Sequence, residues 1–208
     1  MTVATDPTPA RLTARGARTR DRIVTAAADL MFVRGVGATT LDDILDASGV
    51  SKSQLYRHFA NKDQIVRAVI GLMGERVIQR EQDALGRVST LAALRRWRDA
   101  LVQNNALRHG AYGCALGSLA SEVADHDDVA RRSLMALFTE WEDLLAAAIR
   151  RLQDNGTLRS DAPVDELAIG LLGAVQGGYL LAQTARDVTP MATSIDMALR
   201  HIESYSAS

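Results

Sequence analysis

The sequence predicts an all-α fold of about nine helices, and three observations support this prediction. Apolar residues recur at spacings of three and four along most of the chain, which is the period of a helix with one buried face. The 208 residues include only four prolines, so long segments run without a helix breaker. No strand pair, internal repeat or low-complexity tract is visible, and a composition of 47% hydrophobic and 24% charged residues is ordinary for a globular protein.

The first helix is predicted at residues 17–34. It follows a basic arm, residues 1–16, which lacks helical periodicity and which we expect to be disordered. Gly35 and Gly37 end the helix. Its apolar face is formed by Ile23, Ala27, Leu30 and Met31.

Two very short helices follow, at residues 41–47 and 52–59. Thr40 is placed to cap the first helix, and Gly49 ends it. Ser51 is placed to cap the second, and a glutamine three residues later completes a capping box. Helices this short are unstable alone, so their apolar side chains must pack against neighbouring helices. These side chains are Leu41, Ile44, Leu45, Val50, Leu55 and Phe59.

Six further helices complete the chain, separated mainly by glycines and prolines. Asn61 is placed to cap the first of them. Their predicted ranges are residues 62–85, 91–107, 114–123, 128–154, 164–184 and 191–204.

The net charge of -1 hides a gradient along the chain. From Arg11 to Arg67 the sequence has ten Lys and Arg against six Asp and Glu, whereas from Ala68 onward it has fourteen against eighteen. A basic first third on an acidic body predicts a phosphate-bearing partner at one end of the molecule.

The second short helix carries the side chains that a major-groove helix needs. Short polar groups near a helix start suit base edges, and flanking donors suit phosphates. The same pattern is compatible with a helical hairpin inside a larger bundle, so the residues alone leave both interpretations open. With the apolar side buried, the outward-facing residues are Lys52, Ser53, Gln54, Tyr56 and Arg57.

Two segments of this region have a distinctive order of residues. Residues 35–40 are Gly-Val-Gly-Ala-Thr-Thr, and residues 51–62 are Ser-Lys-Ser-Gln-Leu-Tyr-Arg-His-Phe-Ala-Asn-Lys. The stretch from Ile23 to Val69, about a quarter of the chain, closely resembles the DNA-binding region of the TetR family. It departs from the family pattern at Ser53, where glycine is frequent.

The resemblance implies a transcriptional regulator that binds a double-stranded DNA operator. It implies an N-terminal helix-turn-helix domain of three helices, residues 17–62, and a C-terminal helical ligand-binding and dimerisation domain, residues 63–208. Arg57 projects from the second short helix, and we expect it to contact DNA as well. The contacts implied are to phosphates from Thr39 or Thr40, Tyr56, His58 and Lys62, and to bases from Lys52, Ser53 and Gln54.

The last two predicted helices carry faces suited to close helix–helix packing. By sequence they could form a hairpin in the core of a monomer, but the resemblance implies a four-helix interface in a homodimer. A twofold dimer would bind a palindromic operator. The faces are Gly170, Gly173, Ala174 and Gly177 on the first helix, and Ile195, Ala198, Leu199 and Ile202 on the second.

The resemblance also implies a small-molecule effector, bound among the middle helices, whose binding releases the DNA. Such sites are mostly apolar with a few polar groups, so we expect a largely apolar effector. Each candidate lining residue is also compatible with an ordinary core position. The candidates are Trp97, Tyr112, Cys114, Leu116, Met135, Phe138, Trp141 and Gln176.

Cys114 has two interpretations. It lies in the phrase Gly-Cys-Ala-Leu-Gly-Ser-Leu, residues 113–119, which resembles a stretch in a subgroup of these regulators that includes sensors of reactive compounds. A cysteine at a helix start can have a lowered pKa and react with electrophiles. A lone cysteine between small residues is more often a small buried hydrophobe. As the single cysteine, it excludes an intrachain disulfide and fits a reducing compartment.

Several other functions are not expected. We find no phosphate-binding glycine loop, metal-ligand spacing or activated nucleophile, and so we expect no enzyme, cofactor or metal. The acids beside His126 are explained as helix caps. A helical adaptor that binds protein instead of DNA is the remaining alternative. No secretory signal is visible, and the most apolar run, residues 167–182, is short for a bilayer, so we expect a cytoplasmic protein without a membrane partner.

Overall fold

The computed structural model describes residues 13–207, and within that range it contains nine α-helices. No β-strand is present there, only an isolated antiparallel bridge between Leu158 and Ser206. The predicted all-α fold is confirmed. The helices are α1 (Ala14–Arg34), α2 (Leu41–Ser48), α3 (Lys52–His58), α4 (Lys62–Leu85), α5 (Leu91–Ala106), α6 (Ala115–Val123), α7 (Asp128–Asp154), α8 (Val164–Ala185) and α9 (Thr189–Glu203).

Two helix starts differ from the sequence prediction by two residues or more. Helix α1 begins at Ala14 rather than at residue 17, because the Thr13 hydroxyl accepts a hydrogen bond from the Gly16 amide at 3.2 Å and caps the helix. Residues 14–16 of the predicted arm are therefore helical, and residues 1–12 of that arm lie outside the described range. Helix α9 begins at Thr189, since Pro190 is tolerated in a first turn, where its missing N–H costs nothing.

The first three helices form a small bundle with the start of α4. Helix α1 packs against α2, α3 and α4. Ile23, Ile44, Leu55 and Ile65, one from each helix, are fully buried in the shared core. The polar sides of the two shortest helices, α2 and α3, are left at the surface.

The turn between α2 and α3 depends on a left-handed residue. Gly49 has φ 62° and ψ 29°, a conformation that costs an ordinary L-residue free energy. The Arg22 guanidinium closes the turn from α1 by donating to the carbonyl oxygens of Ser48 at 2.5 Å and Gly49 at 3.1 Å. Helix α1 thereby fixes the angle at which α3 leaves α2.

Helices α4 to α9 form the second bundle. Helix α8 packs most extensively against α9, and α7 packs against both α4 and α8, with Trp141 fully buried. Gly178 lets α8 and α9 approach closely, since a Cβ there would lie 3.0 Å from the Cα of Met191. Among the described helices, Val164–Ala185 alone has the length and apolar composition that crossing a membrane requires. The core helix of a helical bundle often has the same length and composition.

We predict opposite stability effects for alanine at two glycines. Gly49→Ala should lower the free energy of unfolding by about 1 kcal/mol, because the new Cβ is strained at positive φ. Gly71→Ala is the control: the position is helical and open, so alanine should raise stability by about 0.5–1 kcal/mol. Thermal unfolding followed by circular dichroism measures both, and a stabilised Gly49→Ala protein would contradict the described turn.

Candidate nucleic-acid interface and internal cavity

Helix α3 presents a polar edge to solvent and hides its apolar side. Leu55 is 0% exposed and Phe59 is 3% exposed, whereas Tyr56 is 47% exposed. Lys52, Ser53 and Arg57 are exposed on the same surface as Tyr56. The structure therefore brings four of the five predicted outward-facing residues of this helix together on one accessible edge, whereas Gln54 is half-buried.

Gln54 has a double role in this helix. Its Oε1 accepts a hydrogen bond from the backbone N–H of Ser51 at 2.9 Å, while the Ser51 hydroxyl oxygen accepts one from the backbone N–H of Gln54 at 3.3 Å. This is the capping box that the sequence predicted. The side-chain oxygen is occupied as an acceptor, which leaves the two N–H groups on the Nε2 amide nitrogen to bind acceptors such as the O6 and N7 atoms of guanine.

The structure changes the role of one predicted phosphate contact and restricts two others. Thr39 is 0% exposed, and its hydroxyl donates to the carbonyl oxygen of Gly35 at 2.8 Å, so its side chain does not reach a duplex. Thr40 is exposed and caps α2 in a capping box with Asp43. Of the alternatives Thr39 and Thr40, the surface position belongs to Thr40.

The last two predicted contacts are half-buried. The Lys62 Nζ donates to the carbonyl oxygen of Val36 at 2.6 Å, which ties the start of α4 to the turn before α2. His58 ends α3 beside the buried Phe59. Neither residue belongs to the fully exposed edge of α3.

A carboxylate from the second bundle holds the turn that precedes α2. The two Glu122 oxygens accept hydrogen bonds from the backbone amides of Val36 and Gly37, each at 2.9 Å. Glu122 lies near the end of α6, more than eighty residues from this turn in sequence. The turn is therefore held by Lys62 on one side and by Glu122 on the other.

A second contact between the bundles lies at the start of α7. Arg67 donates to both oxygens of Asp127, at 2.7 and 3.0 Å. The hydrogen bond from Arg67 and those from the amides of Ala130 and Val129 hold the pKa of Asp127 below its ordinary value. Asp127 is the N-cap of α7, as the sequence analysis proposed for the acids beside His126.

An internal cavity of about 430 Å³, partly open to solvent, lies where α1, α4, α5, α8 and the segment before α6 meet. This volume suits a drug-sized molecule. The wall combines apolar and charged side chains. It is formed by Asp29, Phe32, Met73, Arg76, Val77, Arg80, Asn104, Asn105, Leu107, Arg108, Ala111, Gly113, Cys114, Ala115 and Tyr179.

Of the eight residues expected to line an effector site, the structure places only Cys114 in this wall. Trp141 and Leu116 are fully buried core residues, and Met135 is 59% exposed. Trp97 is buried, and its indole N–H donates to Glu81 at 2.9 Å. The other three, Tyr112, Phe138 and Gln176, also lie outside the wall.

Sequence reasoning missed the polar residues of the wall. Arg76 and Arg80 are one turn apart on α4, a helix whose other face supplies apolar core residues. The available signal for these cavity residues was a pair of arginines at i and i+4 beside an apolar helix face, but the same pattern is found on an ordinary solvent-exposed helix edge. Arg108 and Asn105 come from the end of α5 and the segment after it, where periodicity gives no orientation.

The geometry favours the buried-hydrophobe interpretation of Cys114. The thiol is 7% exposed, and burial raises the pKa of Cys114 above its ordinary value despite hydrogen bonding from nearby groups. A raised pKa leaves little thiolate at neutral pH, and thiolate is the reactive form.

Comparison with known proteins agrees with this architecture. A family model described as "Bacterial regulatory proteins, tetR family" matches residues 23–69, and one described as "Tetracyclin repressor-like, C-terminal domain" matches residues 87–198. The chain belongs to the TetR family. It is a helix-turn-helix transcriptional regulator. Members of the TetR family bind DNA operators and small-molecule effectors and form dimers.

Three relatives illustrate the extent of the match. The chain is 30% identical over 179 residues, 83% of its length and 88% of the relative's, to an HTH-type transcriptional regulator of Mycobacterium tuberculosis. It is 25% identical over 176 residues to the repressor DhaR of Mycobacterium sp., covering 83% and 86% of the two chains. A crystal structure of a TetR transcriptional regulator from Chloroflexus aurantiacus superposes with a TM-score of 0.76 at 27% identity, over 93% of this chain and 96% of that one.

We predict that Cys114 reacts slowly with thiol reagents in the folded TetR-family protein. At pH 8, native protein should be alkylated by iodoacetamide about tenfold or more slowly than protein unfolded in urea, because the folded thiol is both buried and protonated. Mass spectrometry over time measures the two rates. Equal rates would contradict the buried placement and would revive the electrophile-sensor interpretation.

Proposed function

We propose that this TetR-family regulator is a homodimeric repressor that leaves its palindromic operator when a small molecule fills the internal cavity. The observation that supports this proposal most is the exposed polar edge of α3, Lys52 to Arg57, opposite a fully buried apolar side. We expect the protein to act by binding rather than by catalysis, and to act in the cytoplasm, where its DNA partner is.

The charge around α3 suits a DNA backbone. Arg15, Arg18, Lys52 and Arg57 are exposed in the first bundle. In the described part of the chain none of these four forms an ion pair with a carboxylate. Unpaired cations of this kind gain affinity by releasing counterions from phosphates, and the short side chains of Ser53 and Gln54 are left to distinguish bases.

An uncovered apolar face on α8 supports the homodimer. Ile169 is 57% exposed and Leu180 is 65% exposed. Gly170, Gly173 and Gly177 lie on the same side, and a Cβ at any of them would meet no atom within 4 Å. Three bare glycines between two exposed aliphatic residues leave room for a second helix backbone, and the same face on another copy would fit there.

The apolar stripe predicted on α9 has a different role from the one expected. Ile195, Leu199 and Ile202 are 0–4% exposed and pack inside their own subunit, against α8 and α5. The exposed side of α9 offers Met197, which is 62% exposed. In the proposed dimer, α8 therefore provides most of the apolar contact.

The cavity is placed to influence the DNA-binding bundle. Asp29 and Phe32 bring α1 into its wall, and Cys114 and Ala115 bring the start of α6. The same α6 carries Glu122, which holds the turn before α2. A ligand that favours a different spacing of α1 and α6 would change the position of α3. It would change the affinity for DNA by no more than the ratio of its own affinities for the two arrangements of the protein.

We predict that the DNA contact is specific to the surface of α3. Arg57→Gln should weaken binding to any duplex and lower the slope of log affinity against log salt by about one, because one phosphate contact is lost. Arg96→Gln is the matched control, since it removes an exposed arginine from α5 on the other bundle and should change neither quantity. Fluorescence anisotropy with a labelled random-sequence duplex at several salt concentrations measures both.

Two results would contradict this account. If Arg57→Gln and Arg96→Gln behave alike, α3 is not the DNA contact. If wild-type protein retains no duplex at low salt, the helical-adaptor alternative is favoured instead.

We predict that a charge on the α8 face separates the subunits. Leu180→Glu should destabilise the dimer by about 3–5 kcal/mol, because each copy would bury an unpaired carboxylate. Val129→Glu is the control. It places a carboxylate at an exposed apolar position in the first turn of α7, where the helix dipole favours negative charge. Analytical ultracentrifugation should find the first variant monomeric and the second dimeric. A dimeric Leu180→Glu protein would place the interface elsewhere.

A further inference from the structure

The internal cavity is more positively charged than a site for an apolar effector requires. Three guanidinium groups border it, from Arg76, Arg80 and Arg108, whereas Asp29 is the one carboxylate in the wall formed by the described residues. Arg76 and Arg108 are themselves exposed, so their attraction for an anion acts through water until contact with the ligand displaces that water.

One of the three arginines is already neutralised. Arg80 donates to Glu81 from Nε at 3.0 Å and from Nη2 at 2.8 Å, and Glu81 is 1% exposed. The other Glu81 oxygen accepts the N–H of Trp97 at 2.9 Å. This buried carboxylate is therefore fully engaged, and it holds the Arg80 guanidinium in a fixed position at the cavity.

The other two arginines have no such partner. Within residues 13–207, neither Arg76 nor Arg108 forms an ion pair. The Arg108 guanidinium lies 5.2 Å from the ring centroid of Phe32, so one of its faces rests on an aromatic ring while its N–H groups keep their donor capacity. Two cations of the wall are thus available for a ligand.

Neutral polar groups in the same wall also lack partners or face the arginines. The Asn105 Oδ1 is buried and has no hydrogen-bond partner among the described residues, and an unpaired buried acceptor costs free energy until a donor reaches it. Burial raises the pKa of Tyr179 to about 12, against the opposing charges of Arg80 and Arg108, so its hydroxyl stays protonated at neutral pH.

We propose that the effector is an amphipathic organic anion whose acidic group binds between Arg76 and Arg108. Its apolar part would lie against Phe32, Met73 and Val77. A hydrogen-bond donor on the same molecule would satisfy Asn105. This inference rests on the proposed function, which assigns the cavity to the effector, and it replaces the expectation of a largely apolar effector with a defined chemical class.

The class fits the dimensions and chemistry of the site. A cavity of about 430 Å³ accommodates two or three fused or linked rings with a substituent. A guanidinium binds a carboxylate or sulfonate with two parallel hydrogen bonds, and such charge-assisted bonds are stronger than neutral ones. A neutral molecule of the same shape would offer neither guanidinium group a negatively charged hydrogen-bond acceptor.

A matched pair of fluorescent molecules tests the proposal. 8-Anilinonaphthalene-1-sulfonate and N-phenyl-1-naphthylamine share the same rings and N–H donor, and only the first carries a negative charge. Titrated into the full-length protein, the sulfonate should bind about tenfold or more tightly than the neutral amine.

Arginine variants test whether the difference in affinity between the sulfonate and the neutral amine arises in the cavity. The double variant Arg76→Gln, Arg108→Gln should bind the sulfonate about tenfold more weakly and the neutral amine almost unchanged. Arg96→Gln is the control for loss of an exposed arginine outside the cavity. Both arginines are exposed, so the variants should fold, and their thermal unfolding checks this. Equal affinity for the two molecules, or sulfonate binding that the double variant does not weaken, would overturn the proposal.

DNA binding by the same proteins separates this proposal from the proposed function. If the wild-type protein and the double variant both retain a duplex in a salt-dependent way but do not discriminate the two molecules, the anion proposal fails and the repressor account stands. If the sulfonate is discriminated as expected but no duplex is retained, the anion site stands and the repressor account fails.

Discussion

The structure of the DNA-binding bundle depends on the burial of one side of two very short helices. Helices α2 and α3 have eight and seven residues, lengths at which an isolated helix is unstable in water. Ile44 and Leu55 are 0% exposed in the core shared with α1 and α4, and this burial supplies the free energy that keeps both helices folded. Because that side faces inward, the remaining polar side of α3 has to face solvent.

The same bundle is positioned by one contact within it and by two contacts from α6 and α7. The turn before α2 is held by the carboxylate of Glu122 and by the ammonium of Lys62, while Arg67 is held by Asp127. Each of these contacts joins charged groups to backbone or to an opposite charge, and so each has a preferred geometry. Their arrangement connects the orientation of α3 to α6, which begins at the cavity. In the proposed mechanism, the cavity and the DNA-binding bundle are thereby connected through packed, hydrogen-bonded elements rather than through a flexible linker.

Local signals made the helices predictable, whereas tertiary packing determined the rest. The ends of α4 and α7 and the capping box at Ser51 were predicted correctly, because caps depend on residues only a few positions apart. The burial of Thr39 and the lining of the cavity were not predictable, because both depend on which faces of distant helices meet. The small residue that lets α8 approach α9 is Gly178, which is not a member of the predicted stripe and lies among larger apolar residues on the buried face of α8. The three glycines of the predicted stripe are exposed.

The chain contains two lysines, Lys52 and Lys62, and they offer the most direct test of how α3 is presented. Lys52 is exposed on the proposed DNA contact, while the Nζ of Lys62 is hydrogen-bonded to Val36. Acetylation of the native protein, followed by mass spectrometry with and without saturating duplex, measures the accessibility of each amine. We expect Lys52 to react rapidly in the free protein and to be protected by DNA, with Lys62 slow in both. Rapid acetylation of Lys52 at the same rate with DNA bound would contradict the account.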